Sequence, residues 1–227
     1  MLYETLSLIF VKYNCNISIK IIKEKFKTMI KNIIFDVGNV LLSYRWKEML
    51  MKDHRMSEED AERVGNEMFD SPYWAILDLG TETDEQVLSG YAKIYPEDEK
   101  DMRWFIENAE LMKIDRPKIW ELVHKLKEKG YHIYYLSNYS KTLFNKHTGG
   151  ASFFNDMEGG VVSYEVNMAK PDIRIYKKLI DKYDLVPEEC LFFDDLKANV
   201  EGAIKAGMQS KVVTSEDALA DMLKELL

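Results

Sequence analysis

The chain of 227 residues holds only two cysteines, Cys15 and Cys190. With no partner at metal-ligand spacing they exclude a thiolate metal site, and a disulfide framework is implausible. Cys190 opens an apolar run and reads as an inert core thiol. Such usage fits a reducing compartment, and a cytoplasmic location is expected. Also missing is any apolar stretch long enough to span a bilayer. Residues 6–11 are apolar but few, with no basic flank before them and no small-residue cleavage site after them, so a signal peptide is not expected. Basic charge is scarce: 31 Lys and Arg stand against 39 Asp and Glu, a formal net charge of −8. That balance speaks against nucleic acid as a partner. It leaves room for a small anionic substrate, whose local field is set by one lysine and a bound cation. Internal repeats and low-complexity tracts are absent. No membrane and no obligate protein partner is expected.

What is present divides into four stretches. Residues 1–28 alternate Ile with Lys (ISIKIIKEKFK) and carry no turn signal. They read either as a lightly docked, poorly ordered extension or as codons upstream of a true start at Met29. Residues 29–43 hold a short apolar run, KNIIFD, ended by a Gly-Asn turn, the pattern of a buried parallel strand. Residues 44–113 mix charged and apolar residues at helical spacing. Helix starts are signalled at Ser57-Glu58-Glu59-Asp60 and Thr83-Asp84-Glu85, and Pro72, Gly80 and Pro96 punctuate the stretch. Three to five helices with little strand are predicted, placed as a lid inserted after the first strand. Residues 114–227 alternate helix and strand. A helix after Arg116-Pro117 leads to the strand HIYYLSN, and a helix follows at SKTLFNKH. GGVVSYEV reads as a short strand, and Pro171 as the opening of a helix. Cys190 to Phe193 form a strand, Asn199 to Ala206 a helix, KVVT a last strand, and 216–226 a terminal helix. Alternation of this kind predicts an α/β fold, a Rossmann-like three-layer parallel sheet core with an inserted helical cap.

Four polar groups sit where apolar strands end: Asp36, Ser137-Asn138, Lys170 and Asp194-Asp195. In an open parallel sheet ligands bind beyond the carboxyl ends of the strands. One crevice can therefore gather three carboxylates, a hydroxyl, an amide and an ammonium. Carboxylates beside an ammonium suit a hard cation and a phosphate together. Adjacent carboxylates at 194 and 195 repel unless a cation lies beside them.

The ordered set FDVGNVL, YLSN, KPD and FFDDLKANVEGA resembles the haloacid dehalogenase superfamily from Ile30 to the C-terminus. Within it, the chain most resembles the branch containing bacterial α-D-glucose-1-phosphate phosphatase and the N-terminal phosphatase domain of soluble epoxide hydrolase. The resemblance implies a helical cap, Mg²⁺ dependence and an aspartyl-phosphate intermediate. Asp36 would be the nucleophile, a carboxylate that splits one hard displacement into two easier ones. A cation must neutralise its approach to a phosphate dianion, so Mg²⁺ is expected between them, held by Asp36, the Gly38 carbonyl and Asp195. Asp194 would stand behind, holding Lys170 or a metal water, and Asn199 would orient that water or the loop, or cap its helix. Ser137, Asn138 and Lys170 would bind the phosphate, Ser137 through its hydroxyl, Asn138 through backbone or amide donors, and Lys170 as a point charge on it and on the nucleophile.

Gly38 departs from the pattern, because many phosphatases of the superfamily carry a second Asp there as general acid and base. Three outcomes stay open: a leaving group good enough unaided, a proton from water or from a cap residue, or slow turnover. Tyr44, Arg45, Trp46, Tyr73 and Trp74 are candidates for the cap's mouth, aromatics for a sugar ring and Arg45 for a second anion. The four histidines show no ligand spacing.

The expected function is a Mg²⁺-dependent phosphatase of a small phosphorylated metabolite, a sugar phosphate such as a sugar 1-phosphate. The alternatives are a phosphate-binding or regulatory protein with little turnover, and a haloacid dehalogenase. The last needs no metal, so the paired aspartates argue against it.

Overall fold

Five short segments pair into one parallel sheet; the central strands are apolar and buried on both faces, while the edge strand QSKV is largely exposed. The structure, a computed structural model, describes residues 29–227, so the expectation for the N-terminal extension falls outside it. The sheet strands are β1 (Asn32–Phe35), β4 (His132–Ser137), β5 (Gly159–Val162), β6 (Cys190–Asp194) and β7 (Gln209–Val212), in the order β5-β4-β1-β6-β7. Strands β2 (Leu42–Tyr44) and β3 (Lys113–Asp115) make a separate antiparallel pair. Strand β1 is central, with Phe35 level with Tyr135 on one side and Phe193 on the other. That register sets the residues following β1, β4 and β6 side by side at one end of the sheet.

Side chains alternate across the sheet. Ile34, Tyr134, Leu136 and Phe192 join one core cluster with Ile175, Tyr176 and Leu179 of the helix Ile173–Tyr183. Phe35 and Phe193 point the other way and stack with ring centroids 5.5 Å apart. Helices covering both faces of a parallel sheet give the predicted three layers.

Between β2 and β3 the chain is helical: α1 (Glu58–Phe69), α2 (Pro72–Leu79), α3 (Asp84–Ile94) and α4 (Glu99–Glu107), with short helical turns besides. This is the inserted cap. Ser57 caps α1 and Thr83 closes a capping box with Gln86, as their spacing predicts. The chain leaves and re-enters the core through the paired β2 and β3. After β3 come α5 (Pro117–Glu128), α6 (Lys141–Thr148), α7 (Ser163–Val166), α8 (Ile173–Tyr183), α9 (Lys197–Lys205) and α10 (Glu216–Lys224).

Three expected elements differ. GGVVSYEV is strand only to Val162, which lies level with Ser137, the last residue of β4. Ser163–Val166 then turns into helix, so Lys170, expected at a strand end, lies in the turn beyond that helix. Pro171 does not open α8; Asp172 caps it through the Arg174 amide. The last strand starts at Gln209 rather than Lys211, so that Leu191 to Asp194 of β6 are all paired.

Candidate active site

Asp36 directly follows β1, and its amide still donates to the Phe193 carbonyl at 2.9 Å, so the loop begins only at its side chain. The loop is braced from below: Arg116 Nη1 donates to the carbonyls of Asn39 (2.7 Å) and Val40 (3.1 Å), and Trp120 Nε1 to that of Leu41 (2.6 Å). Oδ1 of Asp36 accepts from Ser137 Oγ at 2.6 Å and from the Val37 amide at 2.7 Å, and it lies 3.0 Å from Lys170 Nζ. Among the described residues, Oδ2 has no hydrogen-bond donor.

Lys170 is buried, and its ammonium is fully engaged. Nζ lies 2.6 Å from Asp194 Oδ2, 2.9 Å from the Leu136 carbonyl and 3.0 Å from Asp36. Burial opposes its charge, but Asp36 and Asp194 outweigh that and raise its pKa. Asp194 is held in turn by Asn199 Nδ2, at 3.0 and 3.1 Å, and by the Leu196 amide at 2.8 Å. Asn199 is thus neither a helix cap, a place taken by Leu196, nor aimed at the loop; it steadies the lysine's partner. The Asn138 side chain donates to the Lys170 carbonyl (2.9 Å) and accepts from the Lys170 amide (2.8 Å), so both ends of that amide are committed to placing the lysine, and of the two expected donors only its backbone N–H is left for a phosphate.

Oxygens of Asp36, Asp194 and Asp195 lie within 4.8 Å of one another. Burial pushes the Asp36 carboxyl up to about 7; Lys170 lowers it, Asp194 raises it and Ser137 lowers it. Burial likewise raises Asp195, with Asn39 Nδ2 at 3.1 Å in opposition. Three carboxylates and one ammonium sum to −2 when ionised, and a buried carboxylate that resists ionisation lacks a counter-charge. A hard divalent ion matches both the donor type and the deficit.

Asp36, Ser137, Lys170 and Asp195 floor a cavity of about 520 Å³, with Asp194 buried beneath. Its walls include Tyr44, Trp46 and Trp74, as the sequence suggests, and also Phe69, Asp78, Met112, Tyr139, Leu143 and His147. Phe69 stacks edge-on with Trp46 (5.2 Å) and Trp74 (4.7 Å), giving one aromatic wall. Two expected members are elsewhere. Arg45 pairs with Asp53 at 3.1 Å, because a guanidinium beside two cap carboxylates has no reason to enter an apolar cavity. Tyr73 packs on Tyr91, 5.5 Å between rings, and over Gly90. Three histidines have ordinary ion-pair surroundings. His147 does not: it is fully buried at the cavity wall, and burial lowers its pKa to about 4. Asp78 leaves one trace in the sequence, as the single charged residue of the otherwise apolar helix PYWAILDL.

A family model described as a haloacid dehalogenase-like hydrolase matches residues 30–207. The chain belongs to the haloacid dehalogenase-like hydrolase family. Among solved structures, this hydrolase is similar to a HAD family enzyme of Bacteroides thetaiotaomicron, crystallised with magnesium and inorganic phosphate. The TM-score is 0.66 and the identity 21%, over 82% of this chain and 96% of that one. A predicted HAD-like family hydrolase from Porphyromonas gingivalis matches with TM-score 0.68 and 20% identity, over 88% and 98%. A curated relative, the drimenol cyclase drtB of Aspergillus calidoustus, is 25% identical over 202 residues, 87% of this hydrolase but 37% of the cyclase's own length. No helix among the described residues is long and apolar enough to cross a membrane.

Proposed function

We propose that this hydrolase is a Mg²⁺-dependent phosphatase of a small, singly phosphorylated metabolite, with residues 44–113 as its cap. One observation carries the reading. A buried carboxylate at the central strand end has one oxygen saturated by Ser137, Lys170 and an amide while the other is free of donors. Such a carboxylate is oriented for nucleophilic attack. The free oxygen of Asp36 attacks phosphorus, the ester oxygen leaves, and water then hydrolyses the aspartyl phosphate. Ser137 turns its hydroxyl from Asp36 to a phosphate oxygen. Lys170 keeps its place and neutralises the nucleophile's surroundings. Asp36, Asp195 and the Gly38 carbonyl would hold Mg²⁺, with Asp194 and Asn199 behind, and the ion would offset charge between carboxylate and phosphate. That the Bacteroides neighbour was crystallised with magnesium and inorganic phosphate supports a metal and a phosphate as the occupants.

The wall chooses the leaving group. Among the described residues that line the cavity, Lys170 is the only lysine or arginine, and Arg45 lies outside it. A second phosphate would find no counter-charge, so bisphosphates should be poor substrates. Aromatic faces suit a neutral organic group with an apolar face, and a sugar phosphate such as a sugar 1-phosphate meets both conditions. The likeness of FDVGNVL and FFDDLKANVEGA to the sugar-1-phosphate phosphatase branch supports the same substrate. A screen of phosphomonoesters with Mg²⁺, with EDTA and on the D36N variant tests the reading. Turnover should need both the metal and Asp36; release of phosphate by D36N at the wild-type rate would sink it.

A further inference from the structure

Departure of an alkoxide needs a proton, and Gly38 cannot give one. An acid there would have to push Tyr44 aside. A Cβ built on Gly38 would lie 3.0 Å from the Tyr44 hydroxyl and 3.3 Å from its ring, so Tyr44 fills the space. The Tyr44 hydroxyl is not a donor to the cavity. It bonds to Tyr139, whose hydroxyl lies 3.1 Å from His147 Nδ1, while His147 Nε2 lies 3.0 Å from the Ala109 carbonyl. A carbonyl only accepts, so Nε2 carries the proton of this neutral imidazole and Nδ1 accepts. Tyr139 must then donate to His147, and Tyr44 to Tyr139. Each hydroxyl has one proton, and both are directed away from the substrate.

We propose that Asp78, from the cap helix α2, is the general acid and base of the reaction. The proposal rests on the phosphatase reading above. Asp78 lines the same cavity as Asp36, Ser137 and Lys170. It is half-buried, and the core fixes its position. Ser163 Oγ donates to its carbonyl at 2.5 Å, and Asn167 Nδ2 to that of Leu79 at 2.8 Å. Gly80 ends α2 at φ 63°, where a Cβ would lie 2.8 Å from Tyr164 Cβ. The α2 terminus is thus bound to α7 and to Asn167 just after it.

Its protonation suits the task. Desolvation by burial pushes the Asp78 carboxyl up to about 7; the Ser140 amide lowers it, Asp36 raises it and Lys170 lowers it. The other titratable groups nearby, Tyr91, Tyr139 and His147, are neutral at that pH, their phenols raised and the imidazole lowered. A carboxyl poised near neutrality is what proton transfer in both directions requires. In the first step Asp36 forms a bond to phosphorus and the P–O ester bond breaks. Its electron pair stays on the ester oxygen, which takes the Asp78 proton and leaves as alcohol. In the second step the Asp78 carboxylate takes a proton from water, whose oxygen bonds to phosphorus. The Asp36–phosphorus bond breaks, inorganic phosphate leaves and both side chains are restored.

Two aromatic esters separate the roles: benzyl phosphate, whose alkoxide needs a proton, and p-nitrophenyl phosphate, whose phenolate does not. With Mg²⁺ in rapid mixing, D78N should release one equivalent of p-nitrophenolate within about ten-fold of the wild-type rate and then turn over slowly. Its first turnover of benzyl phosphate should fall by about 100-fold or more. In the wild type that turnover should weaken as pH rises through about 7, while D78N shows no such limb. Equal losses on both esters, or none, would overturn Asp78 as the proton carrier while leaving the phosphatase reading intact. A burst from D36N, or no turnover by the wild type, would remove the phosphatase reading itself. Urea unfolding of D78N across the same pH range guards against a folding defect, since the variant should be at least as stable as the wild type above pH 7.

Discussion

The floor and the wall of the cavity are built on opposite plans. The floor is dense in charge, and nearly every polar atom is held by another: Asn199 fixes Asp194, Asp194 fixes Lys170, and Lys170 and Ser137 fix Asp36. The wall is aromatic, with one carboxyl whose backbone is anchored to the core. The floor should therefore tolerate no substitution. The wall should tolerate several, at the expense of selectivity rather than fold. Preorganised charge is worth most where water is excluded, and shape decides which organic group fits beside it.

Lys170→Met should break the floor most severely. Removing the ammonium leaves Asp36 and Asp194 unpaired in a buried site, which costs about 3–5 kcal/mol. Activity should fall by roughly 10³-fold or more, because the oxyanions lose preorganised charge. Urea denaturation and phosphate release measure both losses; normal stability with normal activity would show the floor to be ordinary surface chemistry. Gly80→Ala comes next. Its left-handed backbone and the contact with Tyr164 make the change strained by about 1 kcal/mol or more, displacing α2 and with it Asp78. The expected outcome is a loss of roughly 10²-fold on benzyl phosphate with a smaller effect on the p-nitrophenyl burst.

The same division explains what the sequence reveals. Asp36, Ser137 and Asp194 each close a short apolar run, and period and order place such residues at neighbouring strand ends; Lys170 does not, since a helical turn separates it from the strand that ends at Val162. The cap offers only helical periodicity. Whether an aromatic faces the cavity or the cap interior depends on rotation about a helix axis, which composition does not fix. Hence Trp46 and Trp74 point inward, Tyr73 turns to Tyr91, and Phe69 carries no signal of its own. Arg45 escapes a reading by residue type because its partners, Asp53 and Glu48, look like solvated charges until the cap is folded. Asn138 has a strand-end position, yet its amide is used to bracket Lys170 across 32 residues of chain.

Trp74→Ala tests the wall more gently. The indole packs on Phe69 and Phe105, so its loss should cost about 3 kcal/mol of stability at most, as for a partly exposed large side chain. KM for neutral-ring esters should rise by roughly ten-fold, with kcat for small esters such as methyl phosphate little changed. A fall in kcat on every substrate would mean that the wall also positions the floor.

The smallest effect is on stability and comes from Asp78. Its folded-state pKa of about 7 lies above the ordinary 3.8, so between those values the folded chain keeps a proton that the unfolded chain has released. Folding stability therefore falls as pH rises from about 4 to 7, and the penalty is complete above 7. A shift of that size sets an upper bound of about 4 kcal/mol; water reaching a half-buried carboxyl reduces it, to roughly 1–2 kcal/mol. The uncharged amide of D78N carries no such penalty. In EDTA, D78N should be the more stable protein at pH 8 and equal to the wild type near pH 4, as read from paired urea titrations. A constant difference across that range would mean that Asp78 ionises as freely folded as unfolded, and the wall would then hold no carboxyl poised for proton transfer.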